Sequence, residues 1–309
     1  MKILMTAIGK RVELISHLKT QAEVIGADCS SLNVAKNFTD GFCLIPRVSD
    51  PGYITALLEI CEKEKPDYLI PLLEDEFDIL AKNREKFSAL GTNLLLSDEN
   101  VLDICKDKIK TAAFFEKYEI PAPKTYDLKK ESEISFPVIV KPSKGMGSAG
   151  VFEASDDEDL KYALKKTEEP IVQEKLTGRE FTMDVLCDND GNVIYIVPRE
   201  RLEVKSGEVV KSRVELNEAV IDISKKVMEA LKKEGSIKGP FTLQCFADDK
   251  EARMLEINPR FGGGVPLSFA AGADYAKALL EMLEGRSITK NGIKELTMLR
   301  YDTSFFTEG

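Results

Sequence analysis

Short apolar runs alternate with helix-length amphipathic stretches over the first third of the chain, and no other feature restricts the fold as much. Lys2–Ala7, Ala22–Ala27, Tyr68–Pro71 and Asn93–Leu96 read as buried strands. About Arg11–Lys19, Tyr53–Lys65 and Phe77–Lys86 read as helices between them. This β-α-β rhythm predicts an open, mostly parallel sheet over residues 1–97. The turn after the first strand, Ala7-Ile8-Gly9-Lys10-Arg11, holds one glycine, too few for the dinucleotide fingerprint of a dehydrogenase.

From about Ser97–Lys110 the chain enters a helix that ends before Ile120-Pro121-Ala122-Pro123. Its character then changes to strands with hairpin punctuation: Pro137–Lys141, Gly150–Ala154, Pro170–Glu174, Phe181–Leu186 and Val193–Val197. Asp188-Asn189-Asp190-Gly191 is a hairpin turn signal. A helix over Glu218–Lys233 precedes the strand pair Phe241–Ala247 and Ala252–Asn258. Residues 98–309 are therefore expected to form a second, α+β unit, with a lid subdomain at about 112–172.

The net charge of −10, with Lys and Arg dispersed among more numerous acids, argues against a nucleic-acid partner, whose phosphates demand a basic face. Cys29, Cys43, Cys61, Cys105, Cys187 and Cys245 are scattered without a CxxC pair and read as reduced thiols. The single histidine, His17, falls in a predicted helix and excludes a multi-histidine metal site. The start of the chain lacks a signal-peptide core and no stretch is apolar enough to span a bilayer, so a cytoplasmic protein without membrane partners is expected.

Local chemistry is densest at Phe136-Pro-Val-Ile-Val-Lys141-Pro142-Ser143-Lys144-Gly145-Met146-Gly147-Ser148-Ala149-Gly150-Val151. An apolar strand ends in a lysine, and a loop of Gly and Ser returns into another β-like run. Glycines let successive N–H groups converge on an anion. The spacing formally matches GxGxxG, yet a Rossmann loop opens a helix, and no Walker GK[ST] follows. Strand–loop–strand suggests a flap over nucleotide phosphates, as in kinases, although HRD and DFG elements are absent. The alternative is a mobile hairpin with a snorkelling Lys141. A second cluster lies at Gln244, Glu256 and Asn258. Alternation places Glu256 and Asn258 on one strand face with Ile257 in the core, and a three-residue loop at Asp249–Glu251 would set Gln244 opposite Glu256. One carboxylate and two amide oxygens suit magnesium, which also takes phosphate ligands; a half-exposed polar hairpin is the alternative.

In order, Asp107-Lys108, Val140-Lys141-Pro142 with its glycine loop, Gln173-Glu174-Lys175-Leu176, Gly178-Arg179-Glu180-Phe181, Gln244 and Glu256-Ile257-Asn258-Pro259-Arg260 resemble the ATP-grasp superfamily. Within it the chain resembles the synthetase domains of the carbamoyl phosphate synthetase large chain and their stand-alone relatives. The resemblance implies a Rossmann-like pre-ATP-grasp domain followed by an ATP-grasp domain with a mobile glycine-rich lid. It implies ATP and Mg2+ (or Mn2+) as cofactors. Lys108 and Lys141 would contact phosphates, with Ser143, Lys144, Gly145, Gly147 and Ser148 in the covering loop. Glu174 and the backbone of Lys175 and Leu176 would form the adenine hinge, and Glu180 would bind the ribose. Lys205, in Lys205-Ser206-Gly207-Glu208, would approach the nucleotide. Gln244, Glu256 and Asn258 would hold the metal, while Arg260, with Lys141, would serve catalysis. Phosphoryl transfer needs positioning and charge neutralisation, so a chain with one histidine is not handicapped.

The sequence departs from that relative after Arg260, where Phe261-Gly262-Gly263-Gly264-Val265-Pro266 replaces a serine-rich stretch with a further arginine. A ligase joining a small carboxylic or amino acid to an amine is therefore the expected function. A kinase of a carboxylate or carbamate and a non-catalytic ATP-binding module are the rivals. Substrate candidates are Glu74, Asp75 and Glu76 at the carboxyl edge of the first sheet, for an ammonium, and Arg199 and Arg201, for a carboxylate held in bidentate fashion. The acids have an alternative role at the start of the Phe77 helix, whose dipole they favour. Small-molecule carboxylate and amine partners are expected, and a homo-oligomer is compatible with the sequence.

Overall fold

The structure, a computed structural model, describes residues 1–129, 134–145, 150–248 and 250–307. The first sheet is parallel and built from β1 (Lys2–Thr6), β2 (Glu23–Asp28), β3 (Gly41–Leu44), β4 (Tyr68–Pro71) and β5 (Asn93–Leu94), in the order β3-β2-β1-β4-β5. Helices α1 (Val12–Leu18), α2 (Tyr53–Glu64), α3 (Phe77–Lys82) and α4 (Arg84–Ala89) connect the strands. Side chains along β1 alternate between two cores. Ile3 and Met5 pack with Leu14, Ile15 and Leu18 of α1, whereas Leu4 packs with Tyr53 and Leu57 of α2. Burial on both faces explains why these strands read as continuous apolar runs.

Two expected helices are each divided. Asn83 interrupts 77–86, and Asp107 interrupts the next helix, giving α5 (Glu99–Lys106) and α6 (Lys108–Lys117). Asp107 has extended backbone angles, and its carboxylate accepts hydrogen bonds from the N–H groups of Ile109 (2.9 Å) and Lys110 (3.4 Å). An N-cap restarts the helix there and makes Lys108 its first residue.

A four-stranded sheet follows, from β6 (Thr125–Tyr126), β7 (Val138–Pro142), β8 (Phe152–Ala154) and β9 (Pro170–Glu174), in the order β6-β9-β7-β8. Between β8 and β9 lies α7 (Asp157–Lys166), capped by Asp156, which the sequence reading leaves unassigned. The largest sheet contains β10 (Arg179–Cys187), β11 (Val193–Lys205), β12 (Glu208–Val214), β13 (Gly239–Ala247), β14 (Ala252–Asn258) and β15 (Thr297–Leu299), in the order β14-β13-β10-β11-β12-β15. Helix α8 (Glu218–Glu234) covers one face of it, with Val227 and Leu231 against Val185 and Leu243. Toward the end of the chain come α9 (Pro266–Ala270) and α10 (Tyr275–Leu283), whose Leu267, Tyr275 and Leu279 join the core shared by Ile3, Met5 and Val197. One apolar core thus ties the parallel sheet to the large antiparallel one. His17 belongs to this junction, stacked on Phe269 with ring centroids 3.8 Å apart, its Nε2 accepting the Ala276 N–H. Among the described residues no helix is long and apolar enough to cross a membrane.

Glu76 also belongs to this packing. It closes a turn between β4 and α3, is 3% exposed, and accepts the Thr6 hydroxyl beside the Tyr53 ring. Burial above all pushes its carboxyl up to about 7. The folded state therefore favours the neutral acid, and the stability that this supplies is lost as pH rises from about 4 toward about 7. Glu76→Gln is expected to raise the melting temperature above pH 7 and to flatten its pH dependence across that window. Thermal melts of the two proteins from acid to pH 9 check this, and parallel curves would contradict it.

Candidate functional site

A cavity of about 650 Å³ opens between the four-stranded and six-stranded sheets. Its lining contains eight basic residues and four acidic ones, an excess that inverts the sign of the whole chain. Such a cleft concentrates positive potential where a polyanion would sit.

Strands β13 and β14 carry the polar face. Gln244 stands opposite Glu256 and Thr242 opposite Asn258, while Ile257 is fully buried in the core behind them. The pairing of Gln244 with Glu256 is the expected one, but it arises differently. The ladder closes at Ala247 and Ala252, one residue farther from the loop than anticipated, and a bulge restores the register. Met254 faces Cys245 and Glu256 faces Gln244, so Leu255 has no opposite number. Bulges re-aim side chains, and here both Leu255 and Glu256 line the cavity. Among the described residues no group of three His, Cys, Asp or Glu is placed to hold a metal. One carboxylate, Glu256, beside the amides of Gln244 and Asn258 is a hard-oxygen donor set that would suit magnesium with phosphate and water as its further ligands.

The cations approach from several elements. Lys141, near the end of β7, is 8% exposed, and burial, with Lys108 adding to it against Glu256, lowers its ammonium to about 8. Lys108 donates from Nζ to the Gly145 carbonyl at 2.9 Å, and its own N–H is held by the Ser143 carbonyl at 2.8 Å. Lys144 lines the cavity and pairs with Glu169 at 3.0 Å. Arg260 donates from Nε to Glu74 at 2.9 Å and from Nη1 to the Phe261 carbonyl at 3.3 Å. Its Nη2 makes no hydrogen bond among the described residues. At the opposite end the backbone of Lys175 and Leu176 follows β9, and Glu180 faces inward, paired with Arg201 Nε at 3.0 Å.

Several site candidates stand elsewhere. Ser143 is buried outside the lining and ties the loop to α6 and Glu169. Lys205 borders a second cavity of about 440 Å³, and Ser206 and Gly207 take its place in the first. The Glu174 carboxylate lines the cavity but is engaged by Arg253 at 2.7 and 2.5 Å. Gly147 and Ser148 lie outside the described residues. Neither Glu74 nor Glu76 lines the cavity: Glu74 holds Arg260, and Glu76 is packed against Thr6. Arg199 and Arg201 do line it, because β11 runs to Lys205 rather than ending at Val197. The two-pronged edge of Arg199 is nevertheless already occupied, with Nε and Nη2 bound to Asp184 at 2.6 and 3.0 Å. The sequence reading missed Arg11, which reaches the cavity from the turn after β1.

Residues 105–264 match the family model described as ATP-grasp domain. The chain belongs to the ATP-grasp family. Residues 3–95 match a second model, described as PylC-like, N-terminal domain. The carbamoyl phosphate synthase large chain of Clostridium botulinum (strain Kyoto / Type A2) is 31% identical over 245 residues, which is 71% of this chain and 22% of that relative's length. The chain thus spans less than a quarter of that relative. Among solved structures, N5-carboxyaminoimidazole synthetase from Staphylococcus aureus complexed with ADP superposes with a TM-score of 0.79 at 17% identity, covering 97% of this chain and 82% of the other. L-amino acid ligase from Bacillus licheniformis gives 0.70 at 19% identity, covering 92% and 74%. These likenesses establish the fold. ATP-grasp enzymes use ATP and Mg2+.

The depressed ammonium of Lys141 would make the binding of a polyanion in this cavity pH-dependent. A polyanion beside it favours the charged form, so MgATP binding above about pH 8 is expected to take up a proton and to weaken as pH rises. Calorimetry in buffers of different ionisation enthalpy measures the uptake, which Lys141→Met should abolish. Equal uptake by both proteins would contradict the assignment.

Proposed function

We propose that this chain is an ATP- and magnesium-dependent ligase that activates a small carboxylic or amino acid as an acyl phosphate and passes it to an amine. The observation that carries the reading is the convergence of Lys141, Gln244, Glu256, Asn258 and Arg260 on one positively lined cavity. A carboxylate oxygen attacks the γ-phosphorus of ATP and ADP leaves; the amine nitrogen then attacks the acyl carbon, losing a proton as phosphate departs.

On this reading Lys108, Lys141 and Lys144 hold phosphates, and the backbone at Lys175 and Leu176 receives the adenine. Glu180 meets the ribose, while Glu256, Gln244 and Asn258 would hold magnesium. Bound there, the metal neutralises charge on the phosphates. Arg260 answers charge that appears only during transfer, with Glu74 fixing its orientation. Residues 1–97 then act as a Rossmann-like pre-ATP-grasp unit and 98–309 as the ATP-grasp unit. The relative named carbamoyl phosphate synthase large chain favours a second reading, in which the phosphorylated carboxylate or carbamate is itself the product. Trapping with hydroxylamine and product analysis with and without amines separate the two.

Release of ADP from MgATP supplied with pooled carboxylic acids and amines tests the reading, and no release with any mixture would overturn it. Arg260→Met should lower kcat by about a hundredfold or more with little change in the KM for ATP. A change confined to KM would make Arg260 a ground-state phosphate ligand. Glu74→Gln is expected to reproduce a milder form of the same kcat loss.

A further inference from the structure

The parallel sheet has a topological switch between β1 and β4, since β2 and β3 lie on one side of β1 while β4 and β5 lie on the other. In open α/β sheets the crevice at such a switch, beyond the carboxyl ends of the strands, is where ligands bind. The turn after β1 supplies Arg11, and the turn after β4 supplies Glu74, the partner of Arg260. The Arg11 backbone N–H donates to the Ile8 carbonyl at 2.8 Å, while its guanidinium makes no hydrogen bond or ion pair among the described residues. Glu208, the acid beside it, is hydrogen-bonded by Lys10 at 2.8 Å. Burial and the proximity of Arg260 and Arg300 both disfavour the Arg11 charge, opposed by Glu208. A guanidinium stays protonated through such a cost, so the site carries positive charge that Glu208, shared with Lys10, only partly offsets.

A second guanidinium meets it across the glycine turn. Arg199 is 1% exposed, and although Asp184 occupies Nε and Nη2, its Nη1 is buried without a partner. A buried donor left unpaired is costly. The turn Gly262–Gly264 separates the two arginines. A Cβ on Gly263 would stand 3.2 Å from Arg11 Nη1, and one on Gly264 would stand 2.3 Å from Arg199 Nη1. The glycines therefore bring backbone and guanidinium groups together in space that a side chain would fill. Arg11 also borders the second cavity, which shares Gly262 and Gly263 with the first.

We propose that Arg11 and Arg199, on either side of Gly262–Gly264, form a carboxylate subsite that selects an acidic substrate, bearing one carboxylate besides the group that is activated. The inference rests on the ligase reading and adds to it the class of substrate. Arg260 serves the transferred phosphoryl group; Arg11 supplies surplus charge and Arg199 an unfilled donor for a different anionic group. The second cavity gives the remainder of that substrate a path to solvent.

Calorimetric titration of the full chain with paired probes tests this: succinate against succinamate, glutarate against glutaramate, glutamate against glutamine. Each pair is titrated in the presence of magnesium and ADP. The acid of at least one pair should bind about tenfold or more tightly than its amide, as expected for charge-assisted hydrogen bonds to a desolvated guanidinium. Arg11→Met should erase that preference in a protein that still binds MgATP. Gly264→Ala, whose Cβ would stand 2.3 Å from Arg199 Nη1 and 2.9 Å from Nη2 and so must displace that guanidinium, should reduce it too. Equal binding of acid and amide in every pair would overturn the subsite, as would a preference that survives Arg11→Met. Loss of the ligase reading would show separately, as no release of ADP from MgATP by the wild-type chain with any mixture of acids and amines.

Discussion

The register between β13 and β14 is the constraint on which the site depends. Setting Gln244 against Glu256, with Asn258 on the same face, gathers the oxygen donors, while Ile257 on the other face is buried beneath α8. A shift of one residue would exchange those faces, turning the donors into the core and an isoleucine into the cavity. Burial of Ile257 and Met254 therefore holds the donors in place. The bulge at Leu255 lets the hairpin keep its apolar pairing near the turn and its polar pairing at the cavity.

Charge is organised around that face. The chain is acidic, yet its acids pair largely at the surface or hold arginines in position, leaving the cavity basic. Glu74 is the best example. It belongs to the parallel sheet, but its carboxylate orients Arg260 from the end of the antiparallel hairpin, 186 residues away in sequence. Asp184 does the same for Arg199 from the neighbouring strand. Of the nitrogens that remain, Arg260 Nη1 donates to the Phe261 carbonyl and Arg199 Nη1 is buried without a partner. Preorganised donors of this kind need no rearrangement when charge develops.

Much of this was legible in the sequence, because strand alternation and local turn chemistry decide it. Tyr68–Pro71, Pro170–Glu174 and Ala252–Asn258 appear as the strands expected. The Asp188–Gly191 turn joins β10 to β11 as its composition predicts, with Asp188 accepting the Asn192 N–H at 2.7 Å. What was not legible depends on distance in sequence. Glu76 and Glu74 follow the same strand and look alike as residues, yet one turns into the core against Thr6 and the other toward Arg260. Arg11 stands beside Lys10 with no motif to distinguish it, and only the switch between β1 and β4 brings it to the cavity. The end of β11 was also hidden, since its last residues are charged and its pairing with β12 supplies what propensity does not.

On the proposed reading the β13–β14 face recruits a divalent metal jointly with nucleotide phosphates, since it offers one carboxylate and two amides rather than a complete ligand set. Titration with Mn2+ followed by electron paramagnetic resonance, with and without ATP, measures this directly. Mn2+ should bind weakly to the protein alone and tightly once ATP is present, and Glu256→Gln should lose that tight site. Equally tight Mn2+ binding without ATP, or an undiminished nucleotide-dependent site in Glu256→Gln, would contradict it.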